Sequence, residues 1–200
     1  VEAVIVATPT HQHKEIVLAA LQAGKHVYCE APMAHTIDDA RAIAKAARDA
    51  SKQIFQVGLQ YRANPQHHHV LEFVRTGAAG NLTLARSQYH KKESWRRTSP
   101  STEREKELNW RLRQDTSPGL VGEIGIHSID VASWFLRKNP VAVTGFGSIQ
   151  HWKDGRNVAD TAQAIVEYPN GTRIIYDATL TNSFEGNYDV YSGTDAAILV

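Results

Sequence analysis

The chain has 200 residues, a formal net charge of +1, 42% hydrophobic residues and 22% charged residues. This composition is typical of an ordinary globular protein. Lysine and arginine are scattered rather than clustered, which gives no electrostatic case for a nucleic-acid or membrane-surface partner. A single cysteine, Cys29, excludes an internal disulfide, and no apolar run reaches membrane-spanning length. We therefore expect neither nucleic acid nor membrane as a partner, and a cytoplasmic location.

The first third of the chain alternates apolar strands with amphipathic helices. Strands are predicted at 2–7, 26–30 and 54–62, and helices at 11–24 and 36–52. The first strand is a nearly continuous apolar run, as expected for a strand buried on both faces, and Thr36 is placed to cap the second helix. This alternation predicts a parallel sheet with right-handed crossovers.

The pattern changes near residue 60. A helix is predicted at 65–76, a strand at 82–91, a polar loop or short helix at 95–118, a helix at 119–137, and alternating strands at 141–151, 159–168 and 172–182. The sequence Pro169-Asn170-Gly171 is a hairpin signal between the last two strands. The predicted fold class is therefore α/β with parallel strands over 1–60, followed by an α+β domain over 61–200 with a large, mostly antiparallel open sheet. Because the chain opens and closes within strands, we expect it to be a piece of a longer polypeptide.

Polar residues follow each of the three early strands. They are Thr8, Pro9 and Thr10 after the first strand, Glu30 at the end of the second, and Gln60 and Arg62 at the end of the third. In open α/β sheets the carboxyl ends of the strands form the ligand crevice, and a carboxylate there commonly binds a ribose hydroxyl. The pattern predicts a dinucleotide site at this edge.

The predicted helix 119–137 carries ionisable side chains on one face. Glu123, His127 and Asp130 are spaced i, i+4 and i+7 among apolar residues, with Trp134 further along the same stripe. Burying a carboxylate near an imidazole costs free energy unless the two groups pair with each other or take part in the chemistry of a site. We interpret His127 as a general base and Glu123 as the group that orients it; the alternative is a polar stripe that simply faces solvent.

Three consecutive histidines, His67, His68 and His69, open the predicted helix 65–76. Adjacent helical residues point about 100° apart, so the three cannot all face one metal ion. A solvated helix start is expected here, and no metal site is predicted.

Several segments, in matching order and spacing, resemble the Gfo/Idh/MocA family of NAD(P)-dependent oxidoreductases. They are TPTHQH, GKHVYCEAPMAHT, QYR, NWR and GxxxEIGIHxxD. The resemblance covers essentially the whole chain. It implies an N-terminal Rossmann domain, a C-terminal domain with an open sheet, and NAD or NADP as cofactor. It also implies that the chain begins near the fourth Rossmann strand and that the glycine-rich phosphate loop lies upstream.

The resemblance, together with the strand-end residues, assigns the candidate site. The cofactor-binding candidates are Thr8, Pro9, Thr10, His13, Glu30, Pro32, Gln60, Trp110 and Arg111. The catalytic candidates are His127 and Glu123, and Arg62, His90 and Asp130 are expected to contact a sugar or polyol substrate.

The chain departs from the family pattern at Ala31, where the family usually has lysine in its Glu-Lys-Pro motif. Alanine cannot transfer a proton; Lys91 or Lys92, at the end of a strand, are alternative sources of an ammonium group. Three functions remain open. They are an NAD(P)-dependent dehydrogenase of sugars, cyclitols or polyols, an NAD-dependent redox-assisted glycosidase, and a non-catalytic sugar- or dinucleotide-sensing protein.

The strands from residue 141 onward carry apolar residues on both alternating faces, including Val143, Ile165 and Ile174. One face of this sheet would pack against helices, and the apolar residues on the other face also need a surface to pack against. Since related proteins commonly pair such sheets, we expect a homo-oligomer through the C-terminal sheet.

Overall fold

The structure is a computed structural model that describes residues 1–200. Its α-helices are α1 (His13–Gln22), α2 (Ile37–Asp49), α3 (Pro65–Arg75), α4 (Thr102–Leu108) and α5 (Ile126–Leu136). Its strands are β1 (Ala3–Val6), β2 (His26–Glu30), β3 (Phe55–Gly58), β4 (Leu82–His90), β5 (Ala142–Ser148), β6 (Thr161–Glu167), β7 (Arg173–Thr179), β8 (Asn187–Gly193) and β9 (Ala197–Leu199). None of the helices combines the length and apolar character that crossing a membrane requires.

The chain divides into two units. The first contains residues 1–59 and 95–123, and the second contains residues 60–94 and 124–200. Residues 95–123 are predicted from the sequence to belong to the second domain, whereas the packing of this segment groups it with residues 1–59. The division into two domains at residue 60 stays a prediction.

A three-stranded parallel sheet in the order β1-β2-β3 forms the centre of the first unit. The parallel register, with Val4 opposite Val27 and Val27 opposite Phe55, confirms the predicted sheet. The buried core joins the strands to α1 and α2 through Val6, Val17, Leu21, Val27, Cys29 and Ile43. Helix α2 begins at the predicted cap, because the Thr36 hydroxyl accepts a hydrogen bond from the Asp39 N–H at 3.2 Å.

A six-stranded sheet in the order β5-β6-β7-β4-β8-β9 forms the second unit. Only the β4–β7 pair is parallel, and the other four neighbouring pairs are antiparallel. The mostly antiparallel sheet is therefore confirmed. Strand β8 was not predicted from the sequence, and its inward positions include a buried Asp189. A carboxylate at an inward position interrupts the alternation that identifies a half-buried strand.

Helices α3 and α5 cover one face of this sheet. The core there contains Val70, Leu71, Val131, Phe135, Ile174 and Tyr191. Ile174 therefore faces the core, while its neighbour Ile175 pairs with Ile165 on the outward face. Val143 pairs with buried Val166 and lies on the helix-bearing face, where the edge strand β5 leaves it 70% exposed. The register therefore places Ile165 on the outward face and Val143 and Ile174 on the helix-bearing face.

The predicted helix 119–137 is not uniform. Its first part, Val121–Gly125, is a π-helical turn, and the regular helix α5 follows from Ile126. Wide turns of this kind are rare and often occur at functional sites. The strict i, i+4 spacing assumed between Glu123 and His127 therefore does not apply at Glu123.

Candidate functional site

The first unit contains a cavity of about 320 Å³ at the carboxyl ends of β1 and β2, here named the Thr8 cavity. Seven of the nine predicted cofactor-binding residues line it: Thr8, Pro9, Thr10, His13, Glu30, Trp110 and Arg111. Glu123 and Ala31 line it as well. Residues separated by up to about a hundred positions in sequence thus meet at the edge where an open α/β sheet binds its ligand.

The Thr8 hydroxyl in this cavity is buried and has no hydrogen-bond partner in the protein. Burying a hydroxyl without a partner costs free energy, so such groups are usually satisfied by a ligand or by water. A nicotinamide dinucleotide carries ribose hydroxyls and a carboxamide that can supply the missing bond. The residues present therefore fit that cofactor at Thr8.

His13 holds two segments of the cavity wall together. Its imidazole is 1% exposed, with Nε2 lying 2.8 Å from the Thr8 carbonyl oxygen and Nδ1 lying 3.1 Å from the Pro32 carbonyl oxygen. The end of β1 is thereby tied to the turn that follows β2. Pro32 itself does not line the cavity, and its contribution is the carbonyl that faces His13.

Glu30 is positioned by its neighbours on the parallel sheet. Burial raises the pKa of the Tyr28 hydroxyl, and a hydrogen bond to the Glu30 carboxylate raises it further. Gly58 is paired with Glu30, and a Cβ there would lie 2.7 Å from both Glu30 Oε2 and the Tyr28 oxygen. Because glycine has no Cβ, the Glu30 carboxylate can occupy this space.

Glu123 is a buried acid in the same unit, with 6% of its surface exposed. Its Oε1 accepts hydrogen bonds from Ser117 at 3.0 Å and from Thr10 at 3.3 Å, and its Oε2 accepts one from Arg111 at 3.4 Å. Burial raises the pKa of this carboxyl, and the Arg111 charge and the hydrogen bonds only partly oppose that effect. Both oxygens are engaged within the first unit, so the orienting role toward His127 stays a prediction.

The second unit contains a cavity of about 330 Å³ lined by His127, here named the His127 cavity. Gln60 lines this cavity and not the Thr8 cavity, because β3 ends at Gly58 and a 3-10 turn at Gln60–Ala63 follows it. On that turn Tyr61 places its ring 5.6 Å from the His127 ring, centroid to centroid.

Arg62 and Asp130 are paired with each other. The guanidinium donates from Nε to Asp130 Oδ2 at 2.7 Å and from Nη2 to Oδ1 at 2.8 Å. Arg62 also lies over the Trp134 ring, 5.4 Å from its centroid. Neither partner lines the His127 cavity. The pair joins the Gln60–Ala63 turn to α5, and contact of either residue with substrate stays a prediction.

His90 lies away from His127, on the outward face of the sheet. Its ring contacts the Phe184 carbonyl oxygen at 3.0 Å and Asp177 Oδ2 at 3.2 Å, and it is not among the residues that line the His127 cavity. Lys91 pairs with Glu93 at 3.1 Å, and neither Lys91 nor Lys92 lines either cavity. No lysine therefore replaces the missing family lysine in these two cavities.

His67 was expected at a solvated helix start, and this expectation was wrong. The residue is 4% exposed and stacks on Tyr61, with ring centroids 4.7 Å apart and an interplanar angle of 11°. The sequence contained a signal for its burial, because His67 shares one helical face with Val70, Leu71 and Val74 at spacings of three, four and seven.

Comparisons with known proteins agree with this architecture. Residues 1–59 match the model of the oxidoreductase family with an NAD-binding Rossmann fold, and residues 67–198 match the Gfo/Idh/MocA C-terminal domain. Levoglucosan dehydrogenase of Pseudarthrobacter phenanthrenivorans is 27% identical over 222 residues, which cover 100% of this chain and 55% of that protein. Inositol 2-dehydrogenase of Rubrobacter xylanophilus is 33% identical over 165 residues, covering 80% of this chain and 41% of that protein.

A solved structure of levoglucosan dehydrogenase in complex with NADH and levoglucosan superposes with a TM-score of 0.84 at 28% identity, covering 100% of this chain and 54% of that chain. The chain spans about half the length of the curated relatives it matches. The predicted fold class and the family resemblance are both confirmed. With family models matching most of its length, the chain belongs to the Gfo/Idh/MocA family of oxidoreductases.

Proposed function

We propose that the full-length protein is an NAD- or NADP-dependent dehydrogenase that oxidises a hydroxyl group of a sugar, cyclitol or related polyol. The observation that carries this proposal is the convergence of seven predicted cofactor residues on the Thr8 cavity. The names of the relatives support the same chemistry, since they include levoglucosan dehydrogenase and inositol 2-dehydrogenase. The first unit would bind the cofactor, and the second would bind the substrate and accept its proton.

The cofactor would be held by hydrogen-bonding groups that the Thr8 cavity already presents. The unpartnered Thr8 hydroxyl and the Glu30 carboxylate can bind ribose or carboxamide groups, and the half-exposed Arg111 supplies a positive charge. When bound, the nicotinamide supplies the hydride acceptor, and the protein supplies orientation and control of the proton.

His127 is the group we assign to proton transfer. Histidine has an ordinary pKa near neutrality, so a neutral imidazole can take the hydroxyl proton as the alcohol is oxidised. His127 lines a cavity whose other polar side chains include Gln60, Asn64 and Ser128, which can hold neighbouring hydroxyls.

The alanine at position 31 leaves two alternative functions open, a redox-assisted glycosidase and a sensing protein. It lines the Thr8 cavity without an ionisable group, so the proton transfer that lysine would serve cannot occur there. A redox-assisted glycosidase would oxidise a sugar transiently, release its aglycone and return the hydride, giving no net reduced cofactor. A sensing protein would bind sugar or dinucleotide without either reaction.

The test measures reduced nicotinamide and released aglycone separately, with NAD and NADP, on a panel of sugars, inositols and aryl glycosides. A dehydrogenase accumulates reduced cofactor in proportion to the oxidised product. His127→Ala should lower turnover on the order of a hundredfold while cofactor affinity stays near that of the wild type. The exposed His69→Ala is the matched control. Near-normal turnover in His127→Ala would remove His127 from the mechanism, and aglycone release without net reduction would favour the glycosidase.

A further inference from the structure

His67 is a polar side chain whose hydrogen-bonding capacity is unused. It lines the His127 cavity, is 4% exposed, and neither Nδ1 nor Nε2 has a hydrogen-bond partner in the protein. Its ring is held flat on Tyr61, so its orientation is fixed without polar contacts. A neutral imidazole presents one donor and one acceptor, and a buried pair of this kind costs free energy unless something binds to it.

Asp189 lies in the wall of the same cavity. It is 7% exposed and its Oδ2 accepts a hydrogen bond from Ser128 at 3.4 Å; Ser87 also bonds its carboxylate. Burial lowers the pKa of His67 and raises the pKa of Asp189, and in each case the other residue's charge opposes the effect of burial. The lowered pKa of His67 and the raised pKa of Asp189 both favour the uncharged forms of these side chains.

The other residues that line the cavity carry no positive charge. Of the fifteen lining residues none is lysine or arginine, and Asp189 is the only carboxylic acid. Phosphate and carboxylate groups bind where arginine, lysine or clustered N–H donors compensate their charge. A cavity of about 330 Å³ lies at the small end of the range for ligand sites, roughly 300–1,000 Å³, which suits a single sugar-sized ring.

We infer that His67 and Asp189 form a specificity subsite that binds hydroxyl groups of an uncharged, polyhydroxylated ring, and that the protein discriminates against phosphorylated or carboxylated sugars. A hydroxyl is at once donor and acceptor, so it matches an imidazole with both nitrogens free. The inference rests on the proposed dehydrogenase function and goes beyond it by naming the substrate's charge and the residues that select it.

Selection should appear in the Michaelis constant more than in turnover, because the subsite binds hydroxyls away from the reacting carbon. His67→Phe keeps the ring and its stacking on Tyr61 but removes both nitrogens, and Asp189→Asn keeps the shape and an acceptor for Ser128. Each variant should raise KM for a neutral ring by about ten- to a hundredfold, with kcat changed by less than about threefold. His69→Phe, on the exposed side of the same helix, should leave both constants unchanged.

The experiment compares matched rings in the full-length protein: levoglucosan, glucose and myo-inositol against glucose 6-phosphate and glucuronate. The neutral rings should show kcat/KM at least about a hundredfold above the charged ones. Equal turnover of a charged ring, or a KM in His67→Phe within about twofold of the wild-type value, would overturn the inference.

Calorimetric binding of the same rings separates this inference from the proposed function. If the wild type turns over none of them but binds a neutral ring, and His67→Phe abolishes that binding, the dehydrogenase proposal fails and the subsite stands. If the wild type oxidises sugars while His67→Phe binds them as tightly as before, the subsite fails and the dehydrogenase stands. Absence of both binding and turnover of every neutral ring overturns both.

Discussion

The ion pair between Arg111 and Glu123 joins two side chains of very different exposure. The Arg111 side chain is 53% exposed, the Glu123 side chain is 4% exposed, and their closest nitrogen and oxygen are 3.4 Å apart. An arginine so accessible to water only partly compensates the cost of burying a charged carboxylate. The raised pKa of Glu123 is the consequence of that imbalance.

Glu123→Gln should therefore change stability in a pH-dependent way. Because the folded-state pKa of Glu123 lies above its ordinary value of 4.5, the native protein binds this proton more tightly than the unfolded chain does. This tighter proton binding stabilises the folded state. The stabilisation is complete below pH 4.5 and is lost as the pH rises through the raised folded-state pKa of Glu123. Glutamine does not titrate, so the Tm of the variant relative to the wild type should rise between about pH 4 and about pH 8.

Thermal unfolding across that pH range measures the difference. Glu103→Gln, an exposed residue on α4, is the control and should give a flat difference. A Glu123→Gln difference that is equally flat would mean that Glu123 titrates alike in the folded and unfolded states.

The two threonines of the Thr8 cavity should respond differently to the same change. Thr8→Val removes a hydroxyl that bonds nothing in the protein, whereas Thr10→Val removes one that donates to Glu123 at 3.3 Å. Thr8→Val should leave Tm unchanged or higher while weakening NAD(P) binding about five- to tenfold. Thr10→Val should lower Tm. Calorimetry and thermal unfolding of the full-length protein measure both; unchanged cofactor affinity in Thr8→Val would contradict a bond from that hydroxyl to the cofactor.

How much of this site can be predicted from the sequence depends on how far apart along the chain the interacting residues are. Thr8 and Glu30 follow directly from strand alternation, because the carboxyl ends of parallel strands must share an edge. Hydrogen bonds such as Thr10 to Glu123, which span 113 residues, depend on tertiary packing that local pattern does not encode.

The same dependence on tertiary packing explains why the contacts of the predicted substrate-binding residues do not follow from the sequence. Arg62 and Asp130 are 68 residues apart, and from sequence each was a free polar group available to a ligand. Folding pairs them with each other, while His67, interpreted as solvated, enters a cavity because its helical face is otherwise apolar. Sequence pattern thus brought the strand-end residues of the first unit together, whereas the contacts of Arg62, Asp130 and His67 depend on tertiary packing.

Asp160 should be among the most important polar residues for the stability of the second unit. It is 0% exposed, and its carboxylate accepts backbone hydrogen bonds from Gln150, His151 and Trp152 at 2.8–2.9 Å. Burial alone would raise its pKa, but the backbone donors together outweigh burial and lower it below 3.8. Its contribution is therefore present above pH 3.8 and lost as the pH falls through the lowered folded-state pKa.

Asp160→Ala leaves the N–H groups of Gln150, His151 and Trp152 without their carboxylate acceptor, and it should cost about 3 to 4 kcal/mol of unfolding free energy at neutral pH. Urea unfolding gives this value directly. Asp195→Ala, an exposed aspartate in the same unit, should stay within about 0.5 kcal/mol of the wild type. A loss in Asp160→Ala no larger than in that control would show that the loop does not depend on the carboxylate.

The outward face of the six-stranded sheet carries an apolar patch across three strands. Ile165 and Ile175 pair directly between β6 and β7 with 41% and 38% of their surface exposed, and Phe146 on β5 is 84% exposed. Exposed apolar side chains gathered on one face of a sheet indicate an interface. We therefore propose that the protein forms a homo-oligomer through this face, with copies related by closed symmetry so that the same patch meets itself.

Ile165→Glu should dissociate that assembly, because pairing two copies would bury a carboxylate in each without a partner. Sedimentation velocity of the full-length protein at micromolar concentration should show a dimer or tetramer for the wild type and a monomer for the variant, with NAD(P) affinity unchanged. Val143→Glu is the matched control: it adds the same charge at a 70% exposed position on the other face of the sheet and should leave the oligomer intact. A monomeric wild type, or an assembly that survives Ile165→Glu but not Val143→Glu, would move the interface away from this face.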